Sequence, residues 1–207
     1  MTKSDRDIEK RYDRLASIYD LWDAIPERLL YRSWRLKLWE KVQGERILEV
    51  GVGTGKNIPF YPSGAQITAI DISPRMLEKA RARDNQCHDV TVELLKADLN
   101  GLTFKDNSFD AVVGSFILMV LPDPLKALKE IKRVCQPHGK IFFLEFTRSD
   151  SKVVAFFQDL LTPLTRAVYH AYLNRDIVGL IQNSGFRVIE SGRMSNGIAK
   201  LIEATLT

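Results

Sequence analysis

A glycine-rich segment and an acid placed twenty residues after its first glycine are the features of this chain that most directly indicate chemistry. The segment reads Glu49-Val-Gly-Val-Gly-Thr-Gly55 after an apolar run, and Asp71 ends the next apolar run. A turn without side chains lets a ligand lie against bare backbone, and a carboxylate at the tip of the next strand accepts hydrogen bonds from ribose hydroxyls. The spacing therefore predicts a nucleoside-binding crevice.

The residue types of the loop narrow the choice of nucleoside. A dinucleotide fingerprint needs glycine at position 56, where the chain has Lys56, and the phosphate-binding G-x-x-x-x-G-K-[ST] pattern is absent. Glu49 would repel a pyrophosphate, whereas S-adenosylmethionine carries a sulfonium and an ammonium group and no phosphate. The loop favours that cationic ligand. The alternative is a structural strand-to-helix turn in which Glu49 is incidental.

Short apolar runs alternate with helical patterns along the chain, and these elements must position the loop and the acid. Strands are predicted at 46–50, 66–71, 90–95, 109–115 and 140–146, with a C-terminal pair at 186–191 and 198–206 joined at Asn196-Gly197. Helices are predicted at 74–83 and 123–135, capped by Ser73 and Asp123. The second helix carries an apolar stripe expected to face the sheet, formed by Leu125, Leu128, Ile131 and Val134. The prolines in 57–62 predict that any helix after the loop is short or broken.

Alternation of strand and helix predicts an α/β fold, a Rossmann-like, doubly wound and mostly parallel seven-stranded sheet. The C-terminal antiparallel strand pair closes the sheet, and N-terminal helices cap it. The 207 residues suit one domain. Within it, residues 1–42 form the capping helices, 46–146 the cofactor-binding core, and 152–173 a lid helix at the acceptor site.

The segment from about 46 to 146 resembles the class I S-adenosylmethionine-dependent methyltransferases, in particular the type 11 subset. The matching pieces are Glu49-Val-Gly-Val-Gly-Thr-Gly55, Asp71-Ile-Ser-Pro-Arg-Met76, Ala97-Asp98-Leu99, Phe109-Asp110-Ala-Val-Val and Arg133-Val-Cys-Gln-Pro137-His-Gly139. The family usually has glycine where this chain has His138. That departure concerns the geometry of a structural turn and not the choice of cofactor.

The resemblance implies roles for individual cofactor-binding residues. The loop would contact the methionine part, Asp71 the ribose, and Asp98 with the Leu99 amide the adenine edge, with Ile72 and Met76 flanking the ring. Ser115 and Phe116 would border the methyl group. The full set implied is Glu49, Gly51, Gly53, Thr54, Gly55, Asn57, Asp71, Ile72, Met76, Asp98, Leu99, Ser115 and Phe116.

Composition excludes several other classes. A hydrophobic share of 45% and a charged share of 27% are ordinary for a soluble globular protein. Cys87, Cys135 and three scattered histidines predict neither a disulfide framework nor a metal site, and they suit a reducing cytoplasm. The first residues lack the apolar stretch of a signal peptide, and no apolar run is long enough to span a membrane. The net charge of +4 is compatible with an anionic surface or with simple solvation.

Two segments outside the shared core are expected to bind the methyl acceptor. Residues 5–41 hold all three tryptophans interleaved with arginines and lysines, a composition typical of helices at a membrane interface or of helices that cap an active site. Residues 153–173 carry a wide apolar face, expected to pack on the core or to line a pocket for an acyl or isoprenoid chain. Pro163 is expected to kink or split this second helix.

The acceptor itself is left open between several classes. The Tyr12…Tyr19-Asp20 pattern resembles both bacterial phosphatidylethanolamine N-methyltransferases and quinone-ring C-methyltransferases, and the loop and the short C-terminal region favour the first. Tyr12 and Tyr31 would face the substrate, and Tyr19 would orient it or simply belong to the core. An amine needs no general base, whereas a phenol or ring acceptor favours one, for which His170 is the candidate.

Other readings also stay open. They are small-molecule thiol, O- or N-methylation and a non-catalytic cofactor-binding module. Nucleic-acid methylation is disfavoured because Ser115-Phe-Ile-Leu replaces an Asn/Asp-Pro-Pro-Tyr motif and no basic stripe is present. The oligomeric state is not predicted.

Overall fold

A computed structural model of the protein describes residues 3–84 and 90–206, so Cys87 lies outside the described residues. Its centre is a seven-stranded sheet in the order β3-β2-β1-β4-β5-β7-β6. The strands are β1 (Arg46–Val50), β2 (Gln66–Asp71), β3 (Thr91–Lys96), β4 (Phe109–Ser115), β5 (Cys135–Phe146), β6 (Phe186–Met194) and β7 (Ala199–Leu206). Strands β1 to β5 are parallel, and β7 runs antiparallel to β5 and β6. The predicted sheet with its C-terminal antiparallel pair is therefore confirmed.

The strand order reverses between β1 and β4. The chain leaves β1 towards β2 on one side and leaves β4 towards β5 on the other, and such a reversal opens a crevice at the carboxyl ends of the two strands. Their register pairs Val50 with Gly114, so the two strands end at the same level. The glycine loop after β1 and the segment after β4 consequently lie side by side.

Both faces of the central strands are buried, which explains their nearly continuous apolar sequences. In β1, Leu48 and Val50 belong to the hydrophobic cluster on one face, and Ile47 belongs to the cluster on the other. In β5, Phe143 and Phe142 divide in the same way, and both are fully buried. Successive side chains of a strand point to opposite faces, so these strands carry apolar residues at most positions on both sides.

The C-terminal strand pair is a hairpin. A short 3-10 turn, Ser195–Gly197, joins β6 to β7. Gly197 has φ of +83°, a backbone conformation that favours glycine. The turn predicted at Asn196-Gly197 is therefore confirmed.

Helices cover both faces of the sheet. They are α1 (Lys3–Trp22), α2 (Ala24–Pro26), α3 (Arg32–Trp39), α4 (Pro74–Asp84), α5 (Pro124–Val134), α6 (Lys152–Tyr169) and α7 (Ile177–Asn183), with a π-helical turn at Glu27–Tyr31 and a 3-10 turn at Ile58–Phe60. The predicted caps are present, since Ser73 Oγ accepts the Met76 amide at 3.2 Å and Asp123 accepts the Lys126 amide at 3.1 Å. The short 3-10 turn after the glycine loop confirms that the prolines break this helix.

One residue of the apolar stripe predicted for α5 does not face the sheet. Leu128, Ile131 and Val134 are fully buried, but Leu125 is 49% exposed. Ala127 occupies the buried position in the first turn instead. A stripe of period 3.6 passes through 127 and 128 together, so including Leu125 was wrong.

The N-terminal helices cap the carboxyl edge of the sheet. Helix α1 reaches α4, where Asp13 accepts a hydrogen bond from Ser73 Oγ at 2.5 Å. Trp34 and Trp39 of α3 are buried in the core, whereas Trp22 at the end of α1 is 61% exposed. The capping arrangement is confirmed, and Ile18 and Trp22 of α1 lie outside the core.

Helix α6 presents the opposite face to the one expected. Its apolar side chains point outward, and Ala155, Gln158 and Thr162 are the buried ones. The Gln158 amide explains the inversion because it binds three backbone groups: the carbonyls of Thr147 and Leu173 and the amide of Ser149, at 2.8, 3.0 and 2.9 Å. Packing of the apolar face on the core was therefore a wrong prediction.

The same helix runs through Pro163 without a break. Buried contacts on both sides of the proline hold it, since Gln158 precedes it and Thr165 Oγ1 donates to the Ala171 carbonyl at 2.9 Å. The predicted split was therefore wrong. Across residues 3–84 and 90–206, none of the helices has the length and hydropathy of a membrane span.

Candidate active site

The glycine loop after β1 takes a backbone conformation that needs glycine. Gly51, Gly53 and Gly55 have φ of +71°, +55° and +80°. A Cβ on Gly51 would lie 2.7 Å from Ile117 Cδ1, and one on Gly55 2.7 Å from Ile58 Cδ1. Gly53 has no atom within 4 Å of that position, so its bare backbone faces open space. Two glycines thus permit packing, and the third leaves room for a ligand.

Asp71 joins the loop to the end of β2. Its Oδ2 accepts the Gly53 amide at 2.8 Å, and its Oδ1 accepts the Ser73 amide at 2.9 Å. Burial raises the pKa of Asp71 to about 6, although these amide hydrogen bonds favour the carboxylate. A carboxylate has about four lone-pair sites. The amides of Gly53, Ile72 and Ser73 contact this one, so it can still accept a hydroxyl group.

A first cavity opens in front of this loop. The predicted cofactor residues on its wall are Gly51, Gly53, Asp71, Ile72, Met76, Asp98, Leu99, Ser115 and Phe116. Ile8, Tyr12 and Tyr19 of α1 close it from above. The carboxyl ends of four neighbouring strands therefore bring together nine residues that were expected to share one site.

Four other residues predicted to bind the cofactor lie behind the loop, off this wall: Glu49, Thr54, Gly55 and Asn57. Thr54 is buried and donates to Asp20 Oδ1 at 2.8 Å, and the Gly55 Cα packs towards α4, with Ala80 Cα 3.0 Å from a Cβ placed there. These residues make supporting contacts around the loop, and their direct contact with the cofactor stays a prediction.

Glu49 is the centre of this supporting layer. It is fully buried, and its two oxygens accept hydrogen bonds from Tyr61 and from Asn57 Nδ2, so neither faces the cavity. Burial raises its pKa to about 6. The same Asn57 Nδ2 lies 3.1 Å from Ser115 Oγ. Glu49 therefore reaches the cavity wall only through Asn57 and Ser115.

Arg35, on α3, belongs to the same layer and was missed in the sequence. It is 6% exposed, pairs with Glu27 at 3.1 Å and donates to Asn57 Oδ1 at 3.0 Å. Its guanidinium lies 5.3 Å from the centroid of the Phe116 ring. A buried arginine between a carboxylate network and the cavity wall cannot be distinguished by type or spacing from the eight other cations that the sequence places in 6–41.

Lys56 ties the N-terminal helices to the loop. Its Nζ lies 2.7 Å from Asp23, 3.7 Å from Asp20 and 3.8 Å from Glu27, and its side chain is only 11% exposed. A lysine among three carboxylates, partly removed from water, holds them more strongly than a surface pair does. The segment over the first cavity is thus fastened at the loop it covers.

A second cavity of about 360 Å³ adjoins the first, a volume within the roughly 300–1,000 Å³ of small-molecule sites. Tyr12, Tyr19, Phe116 and Val120 line both cavities and form the boundary between them. Trp22, Tyr31, Phe146 and Tyr169 bring the aromatic side chains on its wall to seven, and most of the other lining residues are apolar. The predicted substrate-facing residues Tyr12 and Tyr31 both lie here, as does Tyr19.

The segment after β4 forms part of this boundary and is held in a strained conformation. Phe116 has φ of +58°, and its ring stacks on Phe146 at 5.1 Å. Glu145 accepts the amides of Ile117, Leu118 and Met119 at 2.7, 2.8 and 3.3 Å. Burial raises the pKa of Glu145 to about 7. One buried carboxylate therefore fixes three successive backbone groups beside the site.

His170 lies outside both cavities. It ends α6 with φ of +59°, and its Nδ1 is 3.1 Å from the Val120 carbonyl oxygen. Its contacts make it a helix terminator that braces the boundary segment. The structure does not support the prediction that it acts as a general base.

Comparison with known proteins adds an independent line of support. A family model described as a methyltransferase domain matches residues 48–143. The demethylmenaquinone methyltransferase of Clavibacter sepedonicus is 31% identical, covering 97% of this chain and 91% of that protein. The chain belongs to the S-adenosylmethionine-dependent methyltransferases. A phosphatidylethanolamine N-methyltransferase of Cereibacter sphaeroides is 36% identical over 55% of this chain and 56% of that protein.

Solved structures show that the fold of this methyltransferase is shared. A crystal structure of an S-adenosylmethionine-dependent methyltransferase from Thermotoga maritima, a possible histamine N-methyltransferase, matches with a TM-score of 0.74 at 22% identity. The match covers 96% of this chain and 99% of that one. The predicted cofactor, S-adenosylmethionine, is therefore confirmed as the cofactor of this family. The first cavity fits it, with an acid at the end of β2 and open backbone at Gly53.

Proposed function

We propose that this methyltransferase transfers the methyl group of S-adenosylmethionine, held in the first cavity, to a ring carbon of a quinol with an apolar tail, held in the second. The observation that carries the proposal is the wall of the second cavity. It is aromatic and apolar, and among its described residues the one charged side chain is Asp23, with no lysine or arginine. A flat, uncharged ring suits such a wall.

The sequence favoured phosphatidylethanolamine, but the wall gives that acceptor weaker support. A phospholipid headgroup places a phosphate close to its amine, and phosphate groups are normally held by arginine, lysine or backbone amides. The described residues of the second cavity wall include no arginine or lysine that could hold this phosphate. Aromatic side chains can bind an ammonium group, so the phospholipid remains the alternative that an assay must exclude.

The relatives support the same choice. The demethylmenaquinone methyltransferase covers nearly the whole of this chain, including the two segments expected to bind the acceptor. The phosphatidylethanolamine N-methyltransferase covers 55% of it. Similarity over the acceptor-binding segments bears more directly on the acceptor than similarity over the shared cofactor core.

The reaction needs alignment and the removal of a proton. The cofactor supplies an electrophilic methyl group on a cationic sulfur. The methyl–sulfur bond breaks with its electrons on sulfur, the carbon–methyl bond forms at the ring, and one proton leaves the acceptor. Phe116 and Val120 of the boundary would hold the ring in line and exclude water.

Asp23 replaces His170 as the proposed proton acceptor. It lies on the second cavity, and Lys56 holds its carboxylate at 2.7 Å. Tyr19 is half-buried, and its removal from water, with the nearby Asp23 charge, raises its pKa, so its hydroxyl stays protonated and would donate a hydrogen bond. In this assignment Asp23 accepts the quinol proton while Tyr19 orients the ring oxygen.

Transfer of tritiated methyl groups tests the proposal. The purified enzyme is incubated with a chemically reduced demethylated quinol in detergent or with phosphatidylethanolamine vesicles, and label is counted in each extracted acceptor. We expect label in the quinol ring. Asp23→Asn should lower kcat about 100-fold or more, as loss of a general base does. The control Asp106→Asn, at an exposed carboxyl off the cavity wall, should keep most of it. Label in the phospholipid amine, with none in the quinol, would overturn the proposal.

The acceptor also bears on where the enzyme works. An isoprenoid or acyl tail keeps such a quinol in a lipid phase, so a cytoplasmic enzyme associated with the membrane surface is the proposed location. The sequence placed this contact in residues 5–41.

A further inference from the structure

Helix α6 exposes a continuous apolar face. Val153, Phe156, Phe157, Leu160, Leu161 and Leu164 follow the spacing of one helical side, and each is between 47% and 67% exposed. Soluble monomers rarely leave so many large apolar side chains together in water, and such patches mark contact with protein or membrane. The buried Gln158 on the opposite side fixes the helix in this orientation.

A second exposed apolar group lies at the end of the N-terminal helices. Leu21, Trp22, Ile25 and Leu29 are 61% to 76% exposed. Trp22 also lines the second cavity, and Gln158 and Thr165 of α6 line it too. We call the two groups the apolar rim, and the helices that carry them therefore border the same cavity. A hydrogen bond from the Tyr12 hydroxyl to the Tyr169 carbonyl, 3.1 Å long, joins α1 to α6.

The exposed charges that border the apolar rim are mainly positive. Within residues 21–32 the two acids, Asp23 and Glu27, turn inward, where they face Lys56 and Arg35. Asp159 of α6 is engaged by Arg148 at 2.7 Å and by Asn174 at 2.9 Å.

The exposed charged side chains that remain on these segments are cations: Arg28, Arg32, Lys152 and Arg166. Exposed apolar side chains with cations at their edge complement a bilayer that contains anionic lipid.

We propose that the apolar rim docks on an anionic lipid bilayer and turns the second cavity towards the membrane, so that the acceptor enters from the lipid. Delivery of the acceptor rests on the proposed function, whereas docking rests on the exposed rim alone. The proposal moves the expected membrane contact from the whole of 5–41 to residues 21–32 and adds α6.

Trp22 provides a built-in probe of docking. It is 61% exposed and sits in the apolar rim, while Trp34 and Trp39 are 6% and 3% exposed. Binding to acceptor-free vesicles of phosphatidylcholine with phosphatidylglycerol should shift tryptophan emission to the blue, and Trp22→Phe should abolish the shift. Vesicles of phosphatidylcholine alone should bind more weakly, and added salt should weaken binding to the anionic ones.

Sedimentation with the same vesicles tests the α6 face. Phe156→Ser with Phe157→Ser should weaken binding about tenfold or more, since two large apolar side chains no longer enter the interface. Leu125→Ser, on the exposed side of α5 and 49% exposed, is the matched control and should bind normally. Both substituted positions are exposed, so folding should be retained, which circular dichroism checks.

Three outcomes overturn the proposal: no vesicle binding by the wild type, equal binding by the double variant, or a dimer in sedimentation velocity that the double variant dissociates while vesicles stay unbound. The last would assign the face to a second copy of the chain. Failure of the proposed acceptor is separate, because vesicle binding is measured without it. If docking delivers the acceptor, the double variant should lose turnover with a vesicle-embedded quinol and retain it with a short-tailed, water-soluble one.

Discussion

Asp71 should make binding of the cofactor depend on pH, and Asp71→Asn should remove that dependence. The carboxylate sits at the end of β2, accepts the Gly53 and Ser73 amides, and lines the first cavity. Its proposed partners are the ribose hydroxyls, which donate to the ionised form. Protonation removes an acceptor and its charge, so only the ionised enzyme binds tightly.

The size of the expected change in cofactor affinity with pH follows from the raised pKa of Asp71, about 6. At pH 8 nearly all of the enzyme has Asp71 ionised, whereas at pH 5 about one molecule in eleven does. If the protonated form contributes no binding, the apparent Kd at pH 5 is about tenfold weaker than at pH 8. Asp71→Asn at pH 8 also loses charge-assisted hydrogen bonds of about 1.5–3 kcal/mol, or roughly 10- to 150-fold in Kd.

Isothermal titration calorimetry with S-adenosylhomocysteine at pH 5, 6, 7 and 8 measures both effects. Glu49 titrates in the same range, since its pKa is also raised to about 6, so the wild-type profile alone does not identify the group. The variant does, because its Kd should vary little over this range. Asp106→Asn, a 70% exposed carboxyl paired with Arg133, is the matched control. A variant with wild-type affinity and an unchanged profile would refute the placement of the ribose at Asp71.

Two further predictions concern stability. Burial raises the pKa of Glu145 from 4.5 to about 7. Its contribution to the free energy of unfolding is therefore full below pH 4.5 and is lost, by up to about 3 kcal/mol, as the pH rises through 7. Glu145→Gln should flatten that part of the pH profile in urea unfolding, and an unchanged slope would contradict this. Gly55→Ala should cost about 2–4 kcal/mol in the same assay because its Cβ would meet Ile58 and the Ala80 backbone at φ of +80°. Gly64→Ala, at φ of +81° with open space around it, should cost only about 1–2 kcal/mol, and equal losses would refute the packing argument.

The sheet, and the gathering of nine of the proposed cofactor residues around one cavity, could be predicted because their signals are local. Each buried strand is a short apolar run, and each of the two predicted caps comes immediately before a proline. Asp71 is the last residue of β2 and Asp98 follows the end of β3 by two residues, and parallel strands end at the same edge of a sheet. Knowing the order of the elements was therefore enough to place these side chains around one crevice.

The layer that supports the crevice could not be predicted because its contacts join distant parts of the chain. Arg35 meets Asn57, and Glu145 meets the amides of 117–119, across separations of 22 to 28 residues. No spacing rule connects such pairs, and a glutamate inside an apolar strand looks like a tolerated exception. The role of such a glutamate becomes visible only in the folded chain, where it is buried and accepts hydrogen bonds from several donors.

Helix α6 shows where a correct local pattern leads to a wrong conclusion. Its periodicity locates the apolar face, and the rule that such a face turns to the core holds when the core is the apolar partner at hand. Here the segments after β5 and α6 present unpaired backbone groups, and Gln158 satisfies three of them, which fixes the polar side inward. An apolar helix face that is held outward needs an apolar surface other than the core to cover it. Sequences break local rules mainly where function requires it. Because α6 borders the second cavity together with the exposed Trp22, the outward apolar face of this helix is the strongest reason to look for the acceptor in a membrane.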